Sequence, residues 1–179
     1  RIPSWGSEWG HSDINVVSAE DDTWVTVTPT MDTAPGSSIP AGTAGVPMAP
    51  IAMQDGDLLQ IVEAVHTTSL DGSLVEANKP IAVFAGHSCA NVPTDVASCD
   101  HIEEQVFGVQ TWGKEYVGAR VPPRITPPEY VVWHFISGDL GSTLTFEAPA
   151  AVTGLPAGNT LALGPGELAE LTINGDTLD

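Results

Sequence analysis

Glycine and proline punctuate this chain so densely that they limit its fold class before any motif is considered: 18 Gly and 15 Pro fall among 179 residues. A globular helix needs roughly 10–12 uninterrupted residues, and few windows of that length escape both. Proline removes a backbone donor, and glycine gives up conformational restraint. The runs left between them have strand character. Trp24-Val25-Thr26-Val27-Thr28 is β-branched and aromatic and stops at Pro29. The segment 58–65 mixes apolar and polar positions over strand length. Ile81-Ala82-Val83-Phe84-Ala85 is continuous and apolar, which predicts a strand buried on both faces and ending at Gly86. Segments 130–136, 143–146 and 168–173 continue the series. Asp55-Gly56, Asp71-Gly72, Ser137-Gly138-Asp139 and Asn174-Gly175 read as the turns between them. The expectation is an all-β chain, an antiparallel β-sandwich or jelly-roll-like fold.

Two loops organise these strands. Residues 31–50 are rich in Ala, Gly, Ser and Pro. Residues 118–129 carry Pro122-Pro123 and Pro127-Pro128, which favour extended backbone. The second loop predicts a connector, placing a first β-half with the cysteine loop at 1–117 and a second half at 130–179. The halves share an order of pieces. Ile14-Asn15-Val16-Val17-Ser18, a Thr-rich strand at 23–28, Pro40-Ala41-Gly42 and Gly56-Asp57-Leu58 recur as Tyr130-Val131-Val132-Trp133, Ser142-Thr143-Leu144-Thr145-Phe146, Pro156-Ala157-Gly158 and Gly166-Glu167-Leu168. That order suggests a repeat of about 110–120 residues. The first copy continues through Leu74-Val75-Glu76 to Ile81-Ala82-Val83-Phe84, while the second reaches Asp179 without such a pair. The second sheet is therefore expected to be incomplete, with an open edge that recruits a strand, either from downstream in a longer protein or from a neighbouring chain.

Charge removes several functions. With 23 acidic and 5 basic residues the formal charge is −18, and no cluster of Lys or Arg exists to meet a phosphate backbone or anionic lipid. No stretch approaches the roughly 20 apolar residues of a membrane span. The first residues, Arg1-Ile2-Pro3-Ser4-Trp5, lack the apolar run of a signal peptide, so an exported form is expected to have had its leader removed. Acidity of this degree keeps an exported protein soluble. Acids gathered at calcium sites are the rival reading, with Glu20-Asp21-Asp22 and Asp55-Gly56-Asp57 as candidates.

Cys89 and Cys99 are the only cysteines. Set ten positions apart around a Pro and small polar residues, they suggest a local disulfide, worth roughly 2–3 kcal/mol in the chain-entropy model and pointing to an oxidising compartment. The competing reading is zinc, since His87-x-Cys89 and Cys99-x-His101 offer two imidazoles and two thiolates. A hydrolase with Cys89 as nucleophile and His101 or His87 as base requires Cys89 to be free. Ser88 lacks the Gly-x-Ser-x-Gly elbow, and on an extended chain it points away from His87. Glu103 and Glu104 form a carboxylate pair that reads as solvated loop rather than acid–base machinery. His11, His66 and His134 are scattered and read as structural or exposed.

The segment 79–93, Lys-Pro-Ile-Ala-Val-Phe-Ala-Gly-His-Ser-Cys-Ala-Asn-Val-Pro, followed by Cys99-Asp100-His101-Ile102-Glu103-Glu104-Gln105 and Trp112-Gly113-Lys114-Glu115-Tyr116, resembles the N-terminal domain family of IgG Fc-binding proteins. The likeness is densest over 79–116 and looser at 16–23 and 130–146. It implies a secreted or cell-surface β-rich module with a protein-interaction or adhesive role. It also implies that Cys89 and Cys99 are the family's paired cysteines. His87, Asp100, His101, Glu104, Gln105 and Trp112 would then do shared structural work, tying the disulfide loop to the Trp112-Gly113 turn. One departure stands out: Val106-Phe107-Gly108-Val109-Gln110-Thr111 occupies a stretch where the family pattern has paired prolines. Immunoglobulin binding is not carried over, because no antibody-binding residue set is matched.

The sequence thus predicts a non-catalytic extracellular module for protein interaction, adhesion or assembly. It would engage a protein partner, or a copy of itself, through an open sheet edge. No cofactor, nucleic acid or membrane insertion is expected. The alternative is a calcium- or carbohydrate-binding adhesion domain using those acidic turns and exposed Trp5, Trp9 and Trp24. An extracellular enzyme comes third, since no constellation of catalytic groups converges.

Overall fold

A strand buries alternate residues because successive side chains leave opposite faces, and the first strand shows this in full. In the computed structural model, which describes residues 9–92, 98–119 and 130–175, β1 (Ser12–Ser18) buries Ser12, Ile14, Val16 and Ser18 and half-exposes the residues between. The chain divides into two units, Arg1–Val109 and Gln110–Asp179. The described residues contain no α-helix, only strands and two 3-10 turns, Val109–Thr111 and Ala157–Asn159. The protein is all-β, and every strand pairing described is antiparallel.

The first unit adds β2 (Thr23–Thr28), β3 (Ile51–Met53), β4 (Leu58–Val62), β5 (Leu74–Ala77), β6 (Ile81–Ala90) and β7 (Asp100–Gln105). They form one sheet in the order β4-β1-β6-β7 and another in the order β3-β2-β5. Both sheets feed a single apolar cluster. Ile14, Val16, Leu59, Ile61, Val83 and Ala85 come from the first, Val25, Val27 and Met53 from the second, and Met48 and Leu70 from loops. Ile14, Val16, Val25, Val27 and Leu70 are fully buried, and each such side chain contributes about 1.5–3 kcal/mol of hydrophobic stabilisation.

The second unit contains β8 (Val131–Ile136), β9 (Ser142–Thr145), β10 (Val152–Thr153), β11 (Thr160–Leu163) and β12 (Leu168–Gly175). Their sheets run β10-β12-β8 and β11-β9. The connections match those of the first unit: β8 pairs β12 as β1 pairs β4, and β9 pairs β11 as β2 pairs β3. The corner where the sheets meet is built from the same hydrogen bonds. Ser18 N donates to the Asp57 carbonyl at 3.1 Å, and Ser137 N to the Glu167 carbonyl at 3.0 Å. Gln54 N donates to Asp57 Oδ2 at 2.7 Å, and Gly164 N to Glu167 Oε2 at 2.6 Å. The Ser18 and Ser137 hydroxyls donate to the carbonyls of Gln54 and Gly164. Each corner turns on a glycine in the left-handed region, Gly56 at φ +76° and Gly166 at φ +66°, where a side chain is strained.

Several expectations require correction. The run at 81–85 is buried on one face only: Val83 and Ala85 point inward, while Ala82 and Phe84 are half-buried. Its strand continues past Gly86 to Ala90. The strand at 58–65 stops at Val62; Glu63 still donates its N–H to the Ser12 carbonyl at 3.1 Å and bridges to Thr33 on its other side. Asn174-Gly175 is not a turn but the end of β12, paired with Thr153 and Val152. Residues 120–129, most of the expected connector, lie outside the described residues, as does Trp5.

Candidate functional site

The densest motif of the sequence folds as a hairpin at the edge of the larger sheet. β6 lies between β1 and β7, and β7 is its outermost strand among the described residues. Gly86 does not break β6; it lets β7 approach. A Cβ there would strike the Ile102 carbonyl oxygen and stand 3.0 Å from Glu103 Cα, so only glycine fits. The register pairs Phe84 with Gln105, Ala85 with Glu104, His87 with Ile102 and Ala90 with Asp100, with a shift between His87 and Ala90. Cys89, inside β6, and Cys99, just before β7, close the hairpin as a disulfide with Cα atoms 4.9 Å apart. Beyond Gln105, Val106 N still donates to the Val83 carbonyl at 2.8 Å before the 3-10 turn at Val109–Thr111. That is the path taken where paired prolines were expected.

The disulfide decides two chemical readings. Zinc coordination and nucleophilic attack both need a thiolate, and neither cysteine is free. The His87-Cys89-Cys99-His101 ligand set and the Cys89 nucleophile are therefore ruled out in this oxidised form. His87 is fully buried and Ser88, its neighbour, is exposed, so the two face opposite ways. His87 Nδ1 accepts a hydrogen bond from Cys89 N at 3.1 Å, which places its proton on Nε2, an atom with no hydrogen-bond partner. Burial pushes the imidazole pKa below its ordinary value. The Asp13 carboxylate opposes that shift, and His11 adds to it.

The other residues singled out fall in different places. Asp100, His101, Glu104 and Gln105 lie on β7, every residue of which is exposed. Asp100 Oδ1 accepts from His101 N at 2.9 Å, and His101 Nε2 stands 3.7 Å from Glu103 Oε2. With His87 across the pairing, five of the six share one hairpin. Trp112 belongs to the second unit. Sequence reading did not single out Asn15, whose Nδ2 donates to Glu103 Oε1 at 3.2 Å and to Asp13 Oδ2 at 2.9 Å, linking β7 to β1 across the outer face.

A second polar group lies at the end of β4. Glu63 is fully buried and accepts from Ser12 N and Thr68 Oγ1, both at 3.0 Å. Burial raises its pKa, against the lowering effects of those hydrogen bonds and of His11 and His66. The acidic turns are engaged in backbone hydrogen bonding: Asp21 Oδ1 accepts from Asp55 N at 3.1 Å, and Asp57 Oδ2 from Gln54 N. Shallow cavities lie among the described residues. One, about 210 Å³, is lined by Trp9, Cys89, Asn91, Ser98 and Cys99. The other, about 340 Å³, lies beside β3 and β4 and is lined by Ile39, Leu58 and Asp57 among others. Neither contains a histidine.

The family described as IgGFc binding protein matches residues 1–177. Human IgGFc-binding protein is 37% identical over 67 residues, which is 37% of this chain and 1% of that protein. The chain thus spans about a hundredth of that relative's length. No solved structure matches.

Proposed function

We propose that this chain, which belongs to the IgGFc-binding protein family, is a non-catalytic extracellular module that binds other proteins by adding their strands to its open sheet edges. The carrying observation is β7. Among the described residues it is the last strand of its sheet, exposed throughout, and anchored at its start by the disulfide. An outer strand presents a row of backbone donors and acceptors, the usual template for strand addition. The disulfide restricts the hairpin before binding, so less ordering entropy is lost on complex formation. It also fits an oxidising, extracellular setting.

Charge suggests the partner. Asp100, Glu103 and Glu104 line β7, in a chain of formal charge −18. Pairing β7 with another β7 sets acid near acid, which is unfavourable across strands. A partner strand carrying Lys or Arg is favoured instead, and salt should weaken it.

The test is selection of displayed peptides on the immobilised full chain. The expected ligands are extended and basic, and they lose binding when alternate backbone amides are N-methylated. Failure to enrich any peptide, or enrichment of ligands indifferent to N-methylation, would refute strand addition. Purified IgG Fc, the ligand in the human relative's name, belongs in the same assay as a folded competitor.

A further inference from the structure

His11 and His66 stand far apart in the sequence, and folding brings them together. Their rings meet edge to face with centroids 6.0 Å apart, and both residues are exposed. Next to them lies Glu63, whose side chain is fully buried while that of His11 is 50% exposed. His11 Nδ1 stands 4.0 Å from Glu63 Oε1. Nδ1 is thus the ring nitrogen nearer the carboxylate, and Nε2 is the farther one.

The local fold holds each of these groups in place. His11 extends the pairing of β1 with β6 by one step: its N donates to Ser88 Oγ at 2.9 Å, and Ser88 N donates to its carbonyl at 3.0 Å. Glu63 is fixed at both carboxylate oxygens, by Ser12 N and by Thr68 Oγ1. His66 sits in a tight turn closed by Thr68 N, which donates to the Val65 carbonyl at 3.1 Å. A buried carboxylate facing one imidazole nitrogen, with a second imidazole beside that ring, is how proteins orient a metal-binding histidine. Two imidazoles on one tetrahedral zinc ion have ring centres about 5 Å apart, so the observed 6.0 Å closes with a small turn of the exposed His66 ring. Among the described residues no group of three His, Cys, Asp or Glu side chains is placed to hold a metal ion. A site here therefore has two protein ligands, with water in the remaining positions.

We propose that His11 and His66 form a two-imidazole site for a divalent transition-metal ion of the zinc class, with Glu63 as the positioning residue that turns His11 Nε2 toward the metal. The reading goes beyond strand addition and does not depend on it. Imidazole nitrogen suits zinc, copper and nickel, whereas calcium takes oxygen ligands. The formal charge of −18 draws cations of any kind toward the surface, and the two rings supply the selection. A bound ion would tie the start of β1 to the turn after β4.

The test is calorimetric titration of the untagged, oxidised full chain with zinc chloride, after treatment with EDTA. One zinc ion should bind per chain, calcium chloride should give no such binding, and zinc should slow hydrogen exchange over 63–70. His66→Gln, at an exposed position, should abolish the one-to-one binding. Glu63→Gln keeps an acceptor for Ser12 N and should weaken binding by about tenfold or more. His101→Gln, at the histidine that faces the exposed Glu103 on β7, should bind as the wild type does. No one-to-one binding, binding that survives His66→Gln, an equal response to calcium, or a loss in His101→Gln as large as in His66→Gln would each overturn the site. Unchanged affinity in Glu63→Gln would overturn the part assigned to the carboxylate.

Discussion

Replacing Cys89 and Cys99 together by alanine tests the structural core of the motif. The bridge closes a loop of sequence separation 10. The chain-entropy relation gives about 9 cal/mol/K for such a loop, or about 2.7 kcal/mol at 25 °C. Few apolar contacts hold β7 otherwise, because every residue of it is exposed. The loss should therefore fall first on this hairpin. An opening free energy lower by about 2.7 kcal/mol corresponds to exchange roughly a hundredfold faster. Native-state hydrogen exchange is the assay. Amides at 100–105 of the double variant should speed up by about that factor, while those of β1 and β4 change far less. Unchanged exchange over 100–105, together with a urea midpoint shifted by less than the equivalent of about 0.5 kcal/mol, would show that backbone pairing alone holds β7. The argument from loop closure would then fail.

Three further outcomes follow from other sites. Glu63→Gln keeps an acceptor for Ser12 N but removes a carboxyl whose folded pKa lies above its ordinary 4.5. The native state then binds the proton more tightly than the unfolded chain, so wild-type stability should fall relative to the variant as pH rises through that window, read by urea titrations across pH; parallel profiles would refute this. Gly86→Ala forces a Cβ into the Ile102 carbonyl and should destabilise the first unit by about 1–3 kcal/mol in chemical denaturation. A neutral result there would mean that β7 does not pack this closely. Ser18→Ala and Ser137→Ala remove matching corner hydrogen bonds and should each lower stability by about 1 kcal/mol, each in its own unit; a marked inequality would argue against a common construction.

The strands that were legible in the sequence are those whose own side chains carry the signal. Trp24-Val25-Thr26-Val27-Thr28 is legible because Val25 and Val27 alternate into the core, and β8 and β12 because their own residues are β-branched, aromatic or apolar. β7 was read as loop, since Asp100-His101-Ile102-Glu103-Glu104-Gln105 has one aliphatic residue. It is held by backbone pairing to β6, by the disulfide and by Asn15, none of which leaves a periodic pattern. Gly86 looked like a strand terminus because glycine usually is one; only the approach of β7 shows otherwise. Glu63 is one of the polar positions of the segment 58–65 and carries no sign of burial in the sequence, since its partners Ser12 and Thr68 are distant or non-periodic. β3 and β10 are too short to stand out. The cysteine pair and its surrounding motif were legible because two thiols ten residues apart admit few structures.

The account's central claim is that sheet edges in this chain are open templates for added strands. Residue-resolved hydrogen exchange of the free full chain tests it most directly. The account predicts that the amides of β7 not paired with β6 exchange orders of magnitude faster than the amides of β1, which is paired on both sides by β4 and β6. Equal protection of the two sets would contradict it, because the β7 edge would then already be covered.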